Sequence, residues 1–247
     1  MPEAGIIGGT GLTSLTNLQI TRREVVHTPY GEPSGPLTFG MLAGKEVVFL
    51  PRHGAGHTIP PHKVNYRANI WALKQTQVRQ VVAIAAVGGI HADLVPGKFA
   101  IPDQLVDYTW SRGNTFFEEH LTHVTHVDFT FPYSPALREK IIKACQLAKL
   151  EVVTRGTYGA MQGPRLETAA EINRLEQDGC TMVGMTGMPE AALARELDLD
   201  YATCAVVANW AAGRGTGGVI SMEDIDKTLR TGMANARTML EQLVPLL

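Results

Sequence analysis

The sequence predicts an α/β fold in a single domain that spans residues 1–247. Short apolar runs typical of β-strands alternate along the chain with stretches typical of helices. This alternation favours a sheet covered by helices over a layout that segregates strands from helices. The length suits one large α/β domain or at most two small ones. Because no linker, repeat or low-complexity tract divides the chain, we expect one domain.

The predicted strands are apolar runs with β-type composition, at residues 5–8, 37–41, 46–51, 80–86, 98–102, 151–158, 181–184 and 200–208. The predicted helices cover residues 65–75, 135–149, 168–177, 189–196 and 221–243. The last three helices carry acidic residues in or near their first turns, where the helix dipole favours negative charge. Ser221 is the predicted N-cap of the final helix, and the glycine-rich stretch 213–218 before it predicts a flexible loop.

Composition argues against several function classes. The formal net charge of −2, from 22 basic and 24 acidic residues, gives no general basic field for nucleic acid. No apolar run approaches the length of a membrane span, and the first residues lead into a strand rather than a signal sequence. We therefore expect a cytoplasmic protein without a nucleic-acid or membrane partner. Cys145, Cys180 and Cys204 are widely spaced, which predicts packing rather than a disulfide framework.

Two glycine-containing turns predict an anion site. Residues 8–11 (GGTG) follow the first apolar run, and residues 51–54 (PRHG) follow a later predicted strand. Glycines let backbone N–H groups approach an oxyanion without obstruction by Cβ, and Thr10 adds a hydroxyl donor. Arg52 and His53 can add charge and a second donor. The first turn matches neither GxGxxG nor GxxxxGK[ST], so it identifies no nucleotide-binding family by itself.

Longer motifs carry a family resemblance. In order, they are PRHGAGHTIPPHKVNYRANIWALK (residues 51–74), VVAIAAVGGI (81–90), GTYGAMQGPRLETAAE (156–171), VGMTGMPEAALA (183–194) and AVVANWAAG (205–213). Together they resemble the purine nucleoside phosphorylase and methylthioadenosine phosphorylase family over nearly the whole chain. Several ordered motifs of this length are far more specific than any one of them. The resemblance implies a three-layer α/β/α fold around a mixed, partly barrel-like β-sheet.

The resemblance also implies a reaction. In this family phosphate attacks the anomeric carbon of a purine nucleoside and releases the free base and a ribose 1-phosphate. Such a site must cradle phosphate and stabilise the purine as negative charge develops on it. Inorganic phosphate is then a co-substrate, and we expect no cofactor and no metal. Consistent with this, the 8 histidines contain no HExxH-type pair.

The phosphate-binding residues that the resemblance implies are Thr10, Arg52, His53, Thr186 and the backbone at Ala85 and Ala86. Ala85 stands where relatives often carry a threonine, so it can contribute at most its backbone. Met185 is expected to lie against the ribose, because a polarizable thioether can pack on a sugar face. Simpler interpretations are a surface ion pair for Arg52, a core hydrogen bond for His53 and core packing for Met185.

The expected base-binding residues are Leu166, Glu167, Asn209 and Ala211, with Glu167 and Asn209 also catalytic. Methylthioadenosine phosphorylases that act on adenine place two aspartates in the motif equivalent to residues 209–211, and this chain has neither. Asn209 can donate to N7 or O6, where an aspartate would set two acceptors against each other. Glu167 falls where 6-oxopurine phosphorylases carry a glutamate that accepts from N1–H, which adenine lacks. Both positions predict a 6-oxopurine, although Glu167 is also explained as a helix-N-terminal acid and Asn209 as a turn residue.

The 5′ substituent of the sugar is a second discriminating feature. Ordinary purine nucleoside phosphorylases use a histidine before the last helix to bond the 5′-hydroxyl, and residues 217–222 contain none. Val219, Ile220 and Met222 would instead form an apolar wall that suits a methylthio group. The alternative is that Ile220 and Met222 pack the final helix. His126 resembles a position that a neighbouring subunit contributes to the 5′ pocket, which implies an oligomer, expected to be a homotrimer.

Together these features predict phosphorolysis of 5′-methylthioinosine to hypoxanthine and 5-methylthioribose 1-phosphate. A methylthioadenosine phosphorylase that tolerates the altered motif and an inosine/guanosine phosphorylase remain alternatives. A hydrolase is disfavoured, because Arg52, His53 and Thr186 would then surround no anion. From a different class, a catalytically silent nucleoside-binding module also remains open, since fold analogy alone does not establish activity.

Overall fold

A mixed eleven-stranded sheet is the framework of the protein, in a computed structural model that describes residues 1–119, 121–215, 217 and 219–247. The strands are β1 (Ala4–Gly8), β2 (Gln19–Glu24), β3 (Leu37–Leu42), β4 (Lys45–Pro51), β5 (Gln80–Gly89), β6 (Phe99–Ala100), β7 (Gln104–Asp107), β8 (Val152–Val153), β9 (Thr157–Ala160), β10 (Met182–Gly184) and β11 (Asp200–Trp210). The helices are α1 (Tyr66–Gln75), α2 (Pro135–Leu147), α3 (Ala169–Gln177), α4 (Gly187–Glu196) and α5 (Met222–Leu243), with 3-10 turns at Pro61–Lys63 and Val244–Leu246.

Strand β5 is the centre of the sheet, and the sheet forks there. β5 pairs in parallel with β1 on one edge and with β11 on the other, while its last residues pair antiparallel with β10. Beyond β1 lie β4, β3 and β2; beyond β10 lie β9 and β7; beyond β11 lie β6 and β8. Strands β1, β4, β5 and β11 run in parallel, so their carboxyl ends share one edge. Open α/β sheets bind ligands at that edge.

Helices cover both faces of the sheet. Side chains alternate along β5, so that Val81 and Ala83 enter one buried cluster while Val82 and Ile84 enter another. The first cluster includes residues of α1 and α4, and the second includes residues of α2 and α5. The predicted α/β fold is therefore confirmed as three layers, with the mixed sheet in the middle.

The helix predictions are confirmed, including the terminal signals. The Ser221 side chain accepts a hydrogen bond from the backbone N–H of Asp224 at 3.2 Å and caps α5, as predicted. Helix α3 begins with a capping box in which the Thr168 hydroxyl and the Glu171 carboxylate each accept a backbone N–H. Acidic residues occupy the first turns of α3, α4 and α5.

Two aspects of the strand prediction were wrong. The predicted strand 151–158 is two strands, because β8 pairs with β6 whereas β9 pairs with β10 and β7. Strands β2 and β7 were not predicted. Every residue of β2 is exposed, so its sequence shows no alternation of apolar residues, and β7 is only 4 residues long.

The cysteines Cys145, Cys180 and Cys204 are free and buried, in agreement with the expected packing role. Among the described helices, none combines the length and apolar character needed to cross a membrane.

Candidate active site

A cavity of about 580 Å³ opens at the carboxyl ends of the parallel strands. Its wall comes from the turns after β1, β4 and β10, from β5, from the end of β11 and from the first turns of α5. The predicted site residues that line it are Thr10, Arg52, His53, Ala85, Ala86, Leu166, Glu167, Met185, Thr186, Asn209, Ala211, Ile220 and Met222. The structure thus brings together residues that lie far apart along the chain.

The two predicted anion-binding turns lie side by side at one end of this cavity. The backbone N–H of Arg52 donates to the carbonyl of Gly8 at 2.9 Å. A Cβ at Gly9 would lie 2.5 Å from the carbonyl oxygen of Ile84 and 3.0 Å from Nη1 of Arg52. Glycine is therefore required at position 9 because the turn packs directly against β5, and this packing holds Thr10 next to Arg52.

Arg52 is in an ion pair, but in a buried one. Its Nε and Nη2 each donate to the Glu190 carboxylate at 2.7 Å, and its Nη1 donates to the Ile84 carbonyl at 2.9 Å. Tyr201 donates its hydroxyl to the same carboxylate at 2.8 Å. Burial lowers the pKa of Arg52, but the charge and hydrogen bonds of Glu190 outweigh burial and raise it. A guanidinium has more N–H donors than these bonds use, so donors remain for an anion.

His53 is held in one tautomer. Its Nδ1 lies 2.8 Å from the carbonyl oxygen of Ile59, and because a carbonyl only accepts, Nδ1 carries the proton. Burial and the neighbouring charge of Arg52 lower the pKa of His53 to about 4. The imidazole is therefore neutral near pH 7, and Nε2 is an acceptor. This corrects the expectation of a second donor, since Nε2 suits the O–H of a protonated phosphate instead.

His57 also lines this end of the cavity, although no sequence pattern singled it out. Its Nε2 lies 3.1 Å from Oγ1 of Thr10, and its ring centroid is 5.0 Å from that of His53. A single exposed histidine in a loop carries no pattern, so its position next to Thr10 emerges only from the fold.

Main-chain groups of β5 are available at the same end. On one edge of β5, β1 pairs as far as Ala83 and β10 pairs only from Gly88. The backbone between these positions, which includes Ala85 and Ala86, has no strand partner on this edge among the described residues. Arg52 already uses one of the open groups, the Ile84 carbonyl. This gap gives a physical basis for the predicted backbone contribution of Ala85 and Ala86.

Thr186 lines the same cavity and directly precedes α4. Its side chain makes no cap bond to the helix, and its backbone N–H donates to the buried hydroxyl of Tyr158 at 3.3 Å. Thr186 is only 8% exposed but lines the cavity. Met188 has a non-helical backbone (φ −121°, ψ 141°), so the Thr186 hydroxyl lies in the kinked segment before the regular part of α4 and is available to the cavity.

Glu167 lies at the other end of the cavity and is half-buried. Its neighbours do not pair with it, because Arg165 and the backbone N–H of Thr168 both donate to Glu171 at 2.8 Å. Glu171 therefore has the helix-N-terminal role that was the alternative interpretation for Glu167. Burial, followed by the charge of Glu171, raises the pKa of Glu167.

Asn209 belongs to strand β11, so its interpretation as a turn residue was wrong. A register shift between Val207 and Asn209 interrupts the pairing with β5, and such bulges redirect side chains. The Asn209 amide donates to the carbonyl of Trp210 at 2.7 Å, which leaves a second amide hydrogen and the amide oxygen. Ala211 is fixed beside it by a backbone bond to Gly89 of 2.9 Å.

The third part of the cavity is apolar. Ile220 and Met222 line it as predicted, and Ile225 and Leu229 of α5 extend the wall. The sequence contained a signal for this extension, because residues 222, 225 and 229 have the spacing of one helix face. Met222 is 63% exposed, which does not fit a role in packing the final helix.

Two residues predicted for the 5′ pocket lie outside the cavity of this chain. Val219 is 90% exposed and does not line it, which corrects its assignment to the wall. His126 is exposed and lies outside it as well; its expected place was the site of a neighbouring subunit. The predicted loop 213–218 includes residues 216 and 218, which lie outside the described residues.

A metal centre finds no support in the part of the chain that the structure describes. Within it, no three His, Cys, Asp or Glu side chains gather in a way that can hold a metal ion.

Comparisons with known proteins identify the family of this chain. The chain belongs to the phosphorylase superfamily, whose family model matches residues 3–245. A relative from Pseudomonas syringae pv. tomato, named a probable S-methyl-5′-thioinosine phosphorylase, is 54% identical over 244 residues, covering 99% of each chain. The 6-oxopurine nucleoside phosphorylase of Pyrococcus furiosus is 49% identical over 218 residues, covering 86% of this chain and 81% of its own.

A solved structure extends the likeness to the fold. Methylthioadenosine phosphorylase from Schistosoma mansoni, in complex with adenine, superposes with a TM-score of 0.95 at 32% identity, covering 100% of this chain and 92% of its own. The family resemblance carried by the sequence motifs is confirmed.

Proposed function

We propose that this protein catalyses the phosphorolysis of 5′-methylthioinosine, with inorganic phosphate as co-substrate, to give hypoxanthine and 5-methylthioribose 1-phosphate. One observation carries the proposal: a single cavity joins an anion-binding end to Glu167, Asn209 and an apolar wall. The printed names of the Pseudomonas and Pyrococcus relatives, which specify thioinosine and 6-oxopurine, support the same substrate class.

At the anion-binding end, phosphate is held for attack on the sugar. The hydroxyls of Thr10 and Thr186 and the remaining N–H donors of Arg52 converge on one oxyanion, and Nε2 of His53 accepts a hydrogen bond from the O–H of the phosphate. The Glu190 carboxylate fixes the guanidinium in one orientation, so these donors are preorganised. A phosphate oxygen then bonds to C1′ while the C1′–N9 bond breaks and its electron pair moves to the purine. The phosphate loses its proton in forming the ester and the purine anion takes up a proton, so the base leaves as neutral hypoxanthine.

At the base end, the departing purine is stabilised by complementary hydrogen bonds. Glu167 accepts from N1–H of hypoxanthine, and Asn209 donates to N7 or O6 as negative charge develops there. Adenine has no hydrogen on N1, so its lone pair would face the carboxylate. Each such mismatch of buried polar groups costs about 1–3 kcal/mol, which is why we favour a 6-oxopurine.

The sugar lies between these ends. Met185 contacts the ribose face through its thioether, and the wall of Ile220, Met222, Ile225 and Leu229 receives the 5′-methylthio group. A hydroxyl at this position would lose its hydrogen-bond partners on entering an apolar wall. We further propose a single catalytic domain over residues 1–247 and a homotrimer, in which His126 of the neighbouring subunit completes the 5′ pocket.

The first test measures release of free base from four nucleosides. The purified protein is incubated with phosphate and, separately, 5′-methylthioinosine, 5′-methylthioadenosine, inosine and adenosine, with phosphate-free controls. We expect phosphate-dependent release with preference for methylthioinosine. Preference for methylthioadenosine would contradict the argument from Glu167 and Asn209, and preference for inosine would contradict the apolar wall. No release from any of them would favour a nucleoside-binding module.

A substitution at Asn209 tests the base assignment directly. Asn209→Asp replaces an N–H donor with an acceptor, so we expect preference to shift toward 6-aminopurine nucleosides. The matched control is Asn173→Asp, since Asn173 is an exposed residue of α3 that accepts from Arg214 at 3.0 Å. Unchanged base preference in Asn209→Asp would remove the assignment.

A further inference from the structure

Arg112, which the mechanism above does not use, bonds to two separate loops of the cavity. Its Nη1 donates to the carbonyls of Met185 and Met188 at 2.8 and 2.6 Å. Its Nη2 donates to the carbonyls of Gln162 and Met161 at 2.8 and 3.3 Å, and its Nε donates to the Gln162 side chain at 3.1 Å. All of these acceptors are neutral oxygen atoms, so the arrangement is not a surface ion pair.

The two loops carry different parts of the proposed site. Residues 161–168, here the Glu167 loop, connect β9 to α3 and include the base-binding Leu166 and Glu167. Residues 185–188, here the Met185 loop, run from β10 into α4 and include the ribose-contacting Met185. The loops leave neighbouring strands, because β9 and β10 pair in parallel, but each then follows its own path along the cavity.

The loops also touch one another directly. A Cβ at Gly163 would lie 2.3 Å from the sulfur of Met185, and the φ of Gly163 is +60°. A Cβ at this position would displace the Met185 side chain, and the left-handed backbone conformation also favours glycine. A small shift of one loop therefore moves the other, and the bonds from Arg112 fix the position of both.

The planar guanidinium suits this role. Its donors form a rigid fork that can reach carbonyls in two directions, whereas a lysine ammonium is a compact point donor. Arg112 is held in turn by Tyr66, because its guanidinium carbon lies 5.4 Å from the tyrosine ring centroid. Tyr66 is 2% exposed and donates its hydroxyl to the Pro61 carbonyl at 2.9 Å, so the support is part of the core.

We propose that Arg112 is a positioning residue that sets the separation between the Glu167 loop and the Met185 loop, and thereby the purine selectivity of the enzyme. It acts through the main chain of both loops rather than by touching substrate. The identity of the preferred purine rests on the proposed function, whereas the positioning of the two loops by Arg112 does not.

The test compares two arginine variants. Arg138 is the matched control, because its guanidinium also donates to main-chain carbonyls, those of Pro102, Ile101 and Thr154 at 2.8, 3.1 and 2.7 Å. None of these three residues lines the cavity. Arg112→Met removes five hydrogen bonds to the two loops, and Arg138→Met removes three to main-chain carbonyls. A purely structural role predicts a loss of stability in both variants and a change of substrate preference in neither.

We expect only Arg112→Met to change the reaction. Displacement of the loops should lower kcat/KM for methylthioinosine about 100-fold, mainly through kcat, and lower its preference over methylthioadenosine about tenfold, because Glu167 no longer meets N1–H in register. Amide hydrogen exchange of the substrate-free variant should accelerate about tenfold or more in residues 161–168 and 185–188. Arg138→Met should leave the kinetic parameters, the preference and the exchange of both loops at their wild-type values.

Wild-type preference and kcat in Arg112→Met, measured below its melting temperature, would overturn the proposal. An equal loss in Arg138→Met would overturn it as well. If Arg112→Met does not fold, Arg112→Lys is used instead, because lysine keeps the charge but cannot donate to both loops. Wild-type selectivity in Arg112→Lys would also overturn the proposal.

The exchange measurement separates this inference from the proposed function. If the wild-type protein is inactive on methylthioinosine, the proposed function is contradicted, but the exchange result still tests the role of Arg112. Normal exchange of both loops in Arg112→Met would remove the inference alone.

Discussion

The two ends of the cavity differ in how they are held. At the anion-binding end, Arg52 is 1% exposed and its partner Glu190 is 0% exposed, and both are hydrogen-bonded within the core. At the nucleoside end, Leu166 is 40% exposed and Met222 is 63% exposed; Leu166 stands on the loop before α3 and Met222 at the start of α5. Apart from Asn209 on β11, this end is formed by loops and by α5 rather than by the sheet.

This difference separates chemistry from selectivity. Every phosphorolysis needs the same anion held in the same way, and most of the donors proposed for it lie directly after β1 and β4 or in β5. The base and the 5′ group differ among substrates, and loops tolerate change without loss of the fold. Substitutions at the two ends should therefore have different effects. Those at the anion-binding end should lower the stability of the protein, and those at the nucleoside end should change its substrate selectivity.

The largest expected effect is on stability, from Glu190→Ala. This change leaves the Arg52 guanidinium buried without its counter-charge, and breaking a buried pair in this way costs about 3–5 kcal/mol. The free energy of unfolding, measured by denaturant titration, should fall by this amount.

The control for Glu190→Ala is Glu46→Ala. Glu46 accepts from Arg22 at 2.7 Å, the same separation as in the buried pair, but both members of this pair are partly exposed. Its removal should cost no more than about 1 kcal/mol. Equal losses in the two variants would show that the anion-binding end is not held more firmly than the surface.

The second effect is acid destabilisation through His53. The pKa of His53 is about 4 in the folded protein, against 6.5 for an ordinary histidine, so between these values the unfolded chain binds a proton that the folded chain does not. Stability therefore falls as the pH falls from 6.5 to 4, by up to about 3 kcal/mol. Titrating the free energy of unfolding against pH measures this slope.

His53→Gln should remove this part of the dependence of the free energy of unfolding on pH, because glutamine does not titrate. The exposed residue His123 provides the comparison, and His123→Gln should leave the slope intact. A slope that persists in His53→Gln would assign the acid sensitivity to another group.

The sequence predicted residues of the anion-binding end but not Glu190, the carboxylate that holds Arg52 in place. Thr10 and Arg52 were found because a turn at the end of a strand leaves a recognisable pattern of glycine and polar residues. Glu190 was not singled out, because an acidic residue in the first turn of a helix is ordinary and its bond to Arg52 joins positions 138 residues apart along the chain. Pairing over such a separation is a property of the fold, and one sequence does not display it.

At the nucleoside end, local patterns were less informative. Val219 and Met222 are both apolar and close in sequence, yet one points to solvent and the other lines the cavity. Ile225 and Leu229 have the spacing of one helix face with Met222, but a helix face predicts burial without saying against what. Arg112 lies in a segment without regular secondary structure, so nothing in its surroundings distinguished it.

The third effect is on catalysis, from Glu167→Gln. The charge proposed to accept N1–H is lost, so the transition state for a 6-oxopurine nucleoside should lose about 1–3 kcal/mol of stabilisation, and kcat/KM should fall roughly 5- to 150-fold. Because burial raises the pKa of Glu167, wild-type kcat/KM should fall on acidification at a pH above that of an ordinary carboxyl group, and this limb should be absent in the variant. Glu176→Gln changes an exposed partner of Arg214 and should alter neither rate nor profile.

The smallest effect sharpens the boundary of the apolar wall. Met222→Ser replaces a thioether in the cavity wall with a hydroxyl, which should reduce the preference for methylthioinosine over inosine by about 1 kcal/mol, or about fivefold. Val219→Ser makes a similar change three positions earlier at a 90% exposed residue outside the cavity, so it should leave the ratio of kcat/KM values unchanged. If both variants shift the ratio equally, Val219 belongs to the wall of the assembled enzyme, and the nucleoside end is completed only when subunits meet.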